Sequence, residues 1–271
     1  VGGAGNDILI GAGGADTMVG GGGNDIYEVT DLGDQVIEAA GGGGDTVWTS
    51  LASYSLGADV ENLFFGGSGN FAGNGNELAN SIAGGAGNDV LIGGAGVDMM
   101  TGGGGSDIYE ITDLGDQAVE LADAGSDTVW TSLASYTLDA NVENLFFGGS
   151  GNFVGTGNGL ANTIVGGAGN DFIVGAGGND LMSGGVAGND TFVFGAAGFG
   201  NDTILNFGAD AAAGQDLLDL TPMGISSATF APSLTITADG ADTVVGIGAD
   251  SIRLVGVNSA AVDQTDFILA T

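Results

Sequence analysis

The sequence predicts an all-β fold of stacked parallel turns, a β-solenoid, and three observations predict it. The first is the stretch 84–110, GGAGNDVLI GGAGVDMMT GGGGSDIYE, three successive nonapeptides of the form G-G-x-G-x-D-x-U-x with a large apolar residue at U. The second is a larger period: residues 2–83 align without a gap on 84–165, with 60 of 82 positions identical. The third is a C-terminal region, beyond a last repeat at 197–205, where alternating segments such as SLTIT and SIRLVGV replace the nonapeptides. Self-similarity at a fixed period marks solenoids, whose units bury their faces against their neighbours.

Each nonapeptide divides into a turn and a strand. Its glycines let the backbone turn tightly and bring carbonyls inward, and the sixth-position Asp adds a hard anionic oxygen. The last three residues make a short strand whose middle residue, the eighth, faces the core. Runs of three recur at 2–28, 84–110 and 166–193. A hard-oxygen site beside a short strand, repeated every nine residues, reads as a calcium-binding parallel β-roll.

The rest of each unit follows the same register. VTDLGDQVI (29–37) places Asp34 sixth, and after two extra residues AGGGGDTVW (40–48) places Asp45 sixth. TSLASYSL (49–56) is one residue short and has no Asp, while GADVENLFF (57–65) and GNELANSIA (75–83) put Asn62 and Asn80 at the metal position. This parse gives nine segments per 82 residues and one continuous roll; an inserted loop or small domain over 38–83 is the alternative. Nine half-turns is an odd number, so Asp7 and Asp89 are expected on different loop columns. Outward positions carry Ile8, Ile10, Trp48, Leu63 and Phe65, with Trp130, Leu145 and Phe147 repeating them. Apolar residues there mark either local packing or a lateral interface.

A third copy begins at Gly166 and leaves the pattern after about Asp190, with one extra residue in GGVAGND (184–190). AGFGNDTIL (197–205) is a last repeat. The division expected is therefore a roll over 1–194, with units 2–83, 84–165 and a partial third from 166, followed by 195–271 as last repeat, C-terminal β cap and terminal segment. An open roll end exposes unpaired strands and apolar core, and so needs a cap.

The nonapeptides resemble those of the RTX (repeats-in-toxin) family of bacterial secreted proteins. The resemblance implies a right-handed parallel β-roll, two nonapeptides to a turn, with calcium between the loop of one repeat and the loop two repeats later. The tail resembles the C-terminal region of serralysin-type RTX proteins in Phe192–Phe194, Gly200–Phe207 and Asp216–Leu220. The closing DFILAT is similar to the uncleaved signal of type I secretion. Fourteen sixth-position residues become candidate calcium ligands: Asp7, Asp16, Asp25, Asp34, Asp45, Asp89, Asp98, Asp107, Asp116, Asp127, Asp171, Asp180, Asp190 and Asp202. On the family pattern Gly3, Gly5 and Asp7 face Gly20, Gly22 and Asp25, while Gly85, Gly87 and Asp89 face Gly102, Gly104 and Asp107. Likewise Gly167, Gly169 and Asp171 face Gly184 and Asp190, where the inserted residue disturbs the carbonyl set.

Composition narrows the function. Against 34 acidic residues stands one basic residue, Arg253, and the net charge of −33 excludes unassisted nucleic-acid binding. Such self-repulsion makes the compact state depend on bound cations. No run of about 18 apolar residues is present to span a bilayer. Without His, Cys or Lys there is no Ser-His triad, thiol nucleophile, Schiff base or thiolate zinc site, so no enzyme activity is expected of this chain. No secretory leader opens the sequence, and Val1 stands one residue before a repeat, as in a piece of a longer protein. The expected function is a structural component of a cell-surface layer, filament or matrix, extracellular on a Gram-negative bacterium and folded by multiple Ca2+ ions. Its expected partners are the type I secretion apparatus and further copies of itself. The alternative is a C-terminal secretion and stability module of a larger exported enzyme, toxin or adhesin.

Overall fold

A computed structural model describes residues 1–195, 197–209 and 214–271. It divides into two compact units, Val1–Val129 and Trp130–Thr271, each a parallel β-solenoid.

In the first unit successive strands alternate between two walls. One wall is a seven-stranded parallel sheet in the order Gln117–Val119, Met99–Gly104, Ser81–Ala86, Asn62–Phe65, Thr46–Thr49, Ile26–Val29, Ile8–Ile10. Strands Ser53–Ser55, Ala72–Asn74, Val90–Ile92 and Ile108–Ile111 pair in parallel in the other sheet, and Thr17–Val19 pairs with Gln35–Ile37. Within the short strands the middle side chain is buried and its neighbours look outward, as in Ile8–Ile10 and Val90–Ile92. The column of inward residues Leu9, Tyr27, Val47, Leu63, Ile82 and Met100 forms the core of the seven-stranded wall. Residues 38–83 are thus roll, not an inserted domain: four of their strands extend the two sheets. Strand Ile8–Ile10 lies in one sheet and Val90–Ile92, its equivalent 82 residues on, in the other, as an odd number of half-turns requires.

The register within 46–65 differs from the sequence reading. Strand pairing aligns Val47 with Leu63 and Tyr54 with Gly73, so Leu63 rather than Phe64 is the inward residue. Leu63 and its counterpart Leu145 are fully buried, and Phe147 is buried as well, which corrects their expected outward placement. The two-residue insertion between inward Val36 and Val47 stands as expected, but the other indels are shared differently: seven residues separate Val47 from Tyr54 and ten separate Leu63 from Gly73. Burial decides this register, because a one-residue slip would turn Leu63 out to water.

One half-turn replaces its Asp by an aromatic. In GGSGNFAGN (66–74) the sixth residue is Phe71, buried and stacked on Phe65 at 4.6 Å, while the inward eighth residue is Gly73. The ring fills the space over Gly73, where an added Cβ would collide with it. Phe153, Phe147 and Gly155 repeat this exchange in the second unit.

The second unit holds a six-stranded parallel sheet in the order Ser135–Thr137, Val154–Thr156, Phe172–Val174, Thr191–Val193, Leu217–Asp219, Phe267–Ile268. In its other sheet Asn144–Phe147, Thr163–Val165, Leu181–Ser183, Asn201–Leu205 and Asp250–Leu254 are parallel. Antiparallel Asp242–Ile247 and Thr235–Asp239 then close the end, so the last parallel strands are not left open. Arg253, the one basic residue, reaches Asp239 at 2.6 Å and Asp242 at 2.9 Å across this hairpin.

The aromatic exchange sets a test. Phe71→Ala should lower stability at millimolar calcium by about 3–5 kcal/mol. Gly73→Ala should cost about 1–3 kcal/mol through overpacking against the ring. Urea unfolding at fixed calcium reads both; an unchanged midpoint for Phe71→Ala would place that ring outside the core.

Candidate metal centre

The sixth-position residues stand at the entrance of each strand, and the parallel register stacks them. An Asp there accepts, through Oδ1, the backbone N–H of the residue one full turn earlier. On the seven-stranded wall Asp7 N–H reaches Asp25 Oδ1 and Asp25 N–H reaches Asp45 Oδ1, both at 2.7 Å. Further along, Asn80 N–H donates to Asp98 at 2.7 Å and Asp98 N–H to Asp116 at 3.0 Å. The other column of that unit joins Phe71 N–H to Asp89 at 2.8 Å, Asp89 to Asp107 at 2.7 Å and Asp107 to Asp127 at 2.8 Å, while Asp16 donates to Asp34 at 3.1 Å. In the second unit Asp171 N–H meets Asp190, and Asp180 N–H meets Asp202, both at 2.9 Å.

The glycine loops stack with the carboxylates. Gly3 pairs with Gly21, next to Gly20 and Gly22, and Gly5 N–H donates to Gly22 O. Gly85 pairs with Gly103 and Gly87 N–H donates to Gly104 O at 2.7 Å, beside Gly102. In the third copy the bridge runs from Ala168, between Gly167 and Gly169, to Ala187, beyond Gly184, because residue 187 lengthens the loop. Two repeats of spacing therefore bring the predicted loops together in all three copies.

The second carboxylate oxygen tests whether a cation fits. Oδ2 of Asp16, Asp25, Asp45, Asp89, Asp98, Asp107, Asp171 and Asp180 is buried and accepts no hydrogen bond. A buried oxygen bearing charge without a partner costs several kcal/mol, so a stack of them needs a bound cation or a proton. The first glycine of the repeat makes room for it: a Cβ on Gly84, Gly93 or Gly175 would strike the Oδ2 of Asp89, Asp98 or Asp180. Hard oxygens and backbone carbonyls at this density suit calcium.

Some residues of the columns escape the nonapeptide pattern. Glu61, not Asn62, sits at the metal position of its half-turn, where its Oε2 accepts Asp45 N–H at 2.7 Å. Asp216 ends a column by accepting Asp190 N–H at 2.8 Å; its offset of 26 residues from Asp190 hides it from a nine-residue search. Glu38 and Glu120 converge with Asp25 and Asp45, and with Asp107 and Asp127, so that one oxygen from each residue of a trio lies within 4.8 Å of the others. The signal available was an acidic residue in the same two-residue insertion of both units. At that separation carboxylates repel by roughly 3–4 kcal/mol per pair for an effective dielectric near 20.

Burial raises these carboxyls. Asp89, Asp180 and Asp190 are pushed up to about 6 and Asp202 to about 7, with burial the largest cause in each. Glu120 also rises to about 7, through burial and then the charges of Asp127 and Asp107. The metal-free fold thus binds more protons than the unfolded chain between about pH 4 and 7. Its stability is fully present below the unfolded carboxyl range and is lost as pH rises through the folded values. In EGTA, lowering the pH from about 8 to about 5 should increase the strand signal in circular dichroism, and the calcium midpoint should rise over the same window. Loss of strand on that acidification would contradict the arrangement.

The nonapeptide spacing is matched by a known family model. A family model, the RTX calcium-binding nonapeptide repeat (4 copies), matches residues 1–27, 74–109 and 156–192. No curated protein matches the chain. Among solved structures, the extracellular lipase LipA from Serratia marcescens aligns at 20% identity and a TM-score of 0.29, over 83% of this chain and 45% of the lipase. The AlgE6R3 subunit of the Azotobacter vinelandii mannuronan C5-epimerase aligns at 25% identity and a TM-score of 0.35, over 55% of this chain and 82% of that subunit. The chain therefore spans less than half the length of the lipase. Among the described residues no helix is long and apolar enough to cross a membrane. Residues 1–27, 74–109 and 156–192 thus carry RTX calcium-binding nonapeptide repeats, within a parallel β-solenoid whose acidic clusters fit multiple calcium ions.

Proposed function

We propose that this chain is structural material of a Gram-negative cell surface, exported unfolded through a type I apparatus and folded outside by calcium into a layer, filament or matrix. The observation that carries the reading is the near-identity of the 82-residue units, each with an outward aromatic stack. In one unit Trp48 stacks on Phe64 at 5.2 Å and is 46% exposed; in the other Trp130 stacks on Phe146 at 5.2 Å and is 47% exposed. Ile8 and Ile10 are also exposed beside the first stack's strand wall. Repeated exposed apolar surface usually marks an interface. Submicromolar cytosolic calcium leaves sites with dissociation constants of about 10⁻⁴–10⁻³ M empty, and the repelling carboxylates then keep the chain extended for export.

The fourteen column Asp residues, with the loop glycines, hold calcium in this reading, and the Asp242–Leu254 region caps the end within 195–271. A non-enzymatic role agrees with the lack of His, Cys and Lys. A second reading, a C-terminal secretion and stability module of a larger exported enzyme, toxin or adhesin, is favoured by the serralysin-like tail at Phe192–Phe194 and Asp216–Leu220.

Assembly separates the two. Light scattering over a calcium titration should rise at the folding threshold for the parent chain and stay flat for Trp48→Ser/Trp130→Ser, which leaves the core residues Leu63 and Leu145 intact. A parent chain that remains monomeric at millimolar calcium and high concentration would favour the secretion module.

A further inference from the structure

The two glutamates missed by the repeat pattern form part of a site unlike the other stacked pairs. Tyr27 is fully buried, and its hydroxyl donates to Glu38 Oε1. Gly21 and Ala39 N–H groups hold Glu38 Oε2 at 3.3 and 3.2 Å. The tyrosine hydroxyl, Asp25 Oδ2 and Glu38 Oε1 all crowd one point, the place a Cβ on Gly20 would take. Asp25 and Asp45, 1% and 0% exposed, each carry a buried, unpartnered Oδ2, and one carboxylate oxygen of each lies within 4.8 Å of one from Glu38. The arrangement recurs 82 residues on: Tyr109 donates to Glu120 Oε1, and Tyr109 O–H and Asp107 Oδ2 crowd Gly102.

The third copy serves as an internal control. Strand register puts Phe192 where the others have Tyr27 and Tyr109, and Asn206 where they have Glu38 and Glu120. Asp190 and Asp216 keep the stacked pair there and line a cavity of about 350 Å³ with Asn206. The hydroxyl and the third carboxylate are lost together, as expected if the tyrosine is present to position the glutamate.

We infer that Asp25/Glu38/Asp45 and Asp107/Glu120/Asp127 are two three-carboxylate calcium sites that fill before the two-carboxylate sites and start the folding of the roll. The inference rests on the reading of the repeats as calcium sites and adds a hierarchy among them. Affinity of an oxygen site for calcium rises with its count of charged ligands. A third carboxylate held by a buried hydroxyl also arrives already oriented, which lowers the ordering cost of binding. Tyr27 and Tyr109 act as positioning residues.

Terbium, a trivalent hard cation, reads these sites through the adjacent tyrosines. In the parent chain, tyrosine-excited terbium luminescence should show an early phase of two ions, one per cluster, complete before the strand signal in circular dichroism. E38Q/E120Q should weaken that phase at least about tenfold, as expected for removing a charged ligand, while the later sites still fill and restore strand at millimolar calcium. Each single variant should remove one ion of the phase, so the test survives if the double variant fails to fold. D98N, in a column position without a third carboxylate, should spare it. Y27F/Y109F removes the sensitising rings, so it is read by isothermal titration calorimetry with calcium, where it should weaken the first binding phase less than the glutamine pair does. Identical titrations of parent and E38Q/E120Q would overturn the hierarchy and leave the calcium roll standing. A parent that binds neither calcium nor terbium would overturn both.

Discussion

Repulsion between stacked carboxylates is the constraint on which this structure depends. Parallel strands repeat every full turn, so any residue type placed at the turn is placed on top of itself. Putting Asp there aligns like charges in columns, with one oxygen anchored by a backbone N–H and the other facing the loop. Nothing in a chain with a single Arg can neutralise them, and that Arg is held by Asp239 and Asp242 at the C-terminal hairpin. At neutral pH the fold therefore needs cations that the polypeptide does not supply. Calcium is a structural component of it, as the side-chain core is.

The core and the ions divide the work along each 82-residue unit. Where Asp occupies the turn, the inward residue keeps a full side chain, as in Leu9, Met18, Tyr27 and Val47. Where the metal position is Phe71 or Phe153, the ring turns inward, its neighbour shrinks to Gly73 or Gly155, and stacking on Phe65 or Phe147 holds the turn. Dispersion and burial do there what cations do elsewhere. Such turns do not need calcium to be compatible with their own charge, so they give the unit an alternation of ion-held and core-held layers.

Much of this was legible in the sequence because two periods reinforce each other. The sixth-position Asp and eighth-position apolar residue fix the wall and the column for every regular repeat, and nine half-turns fix the switch of Asp7 and Asp89 between walls. The register of 46–65 was not legible. TSLASYSL has no Asp to anchor it, and NLFF offers three consecutive apolar residues, so only packing tells that Leu63 points in. Glu61 was hidden by the same slip. Glu38 and Glu120 were hidden because they enter the site from an insertion rather than from a repeat position, and Asp216 because a long connection separates it from Asp190.

Calcium and strand formation measured in one titration test the central claim most directly. The chain should be unfolded in EGTA at neutral pH, and strand signal and compaction should rise only as calcium binds, reaching completion at millimolar free calcium with several ions per chain. Full strand content and compactness in EGTA, with no metal bound, would contradict the account.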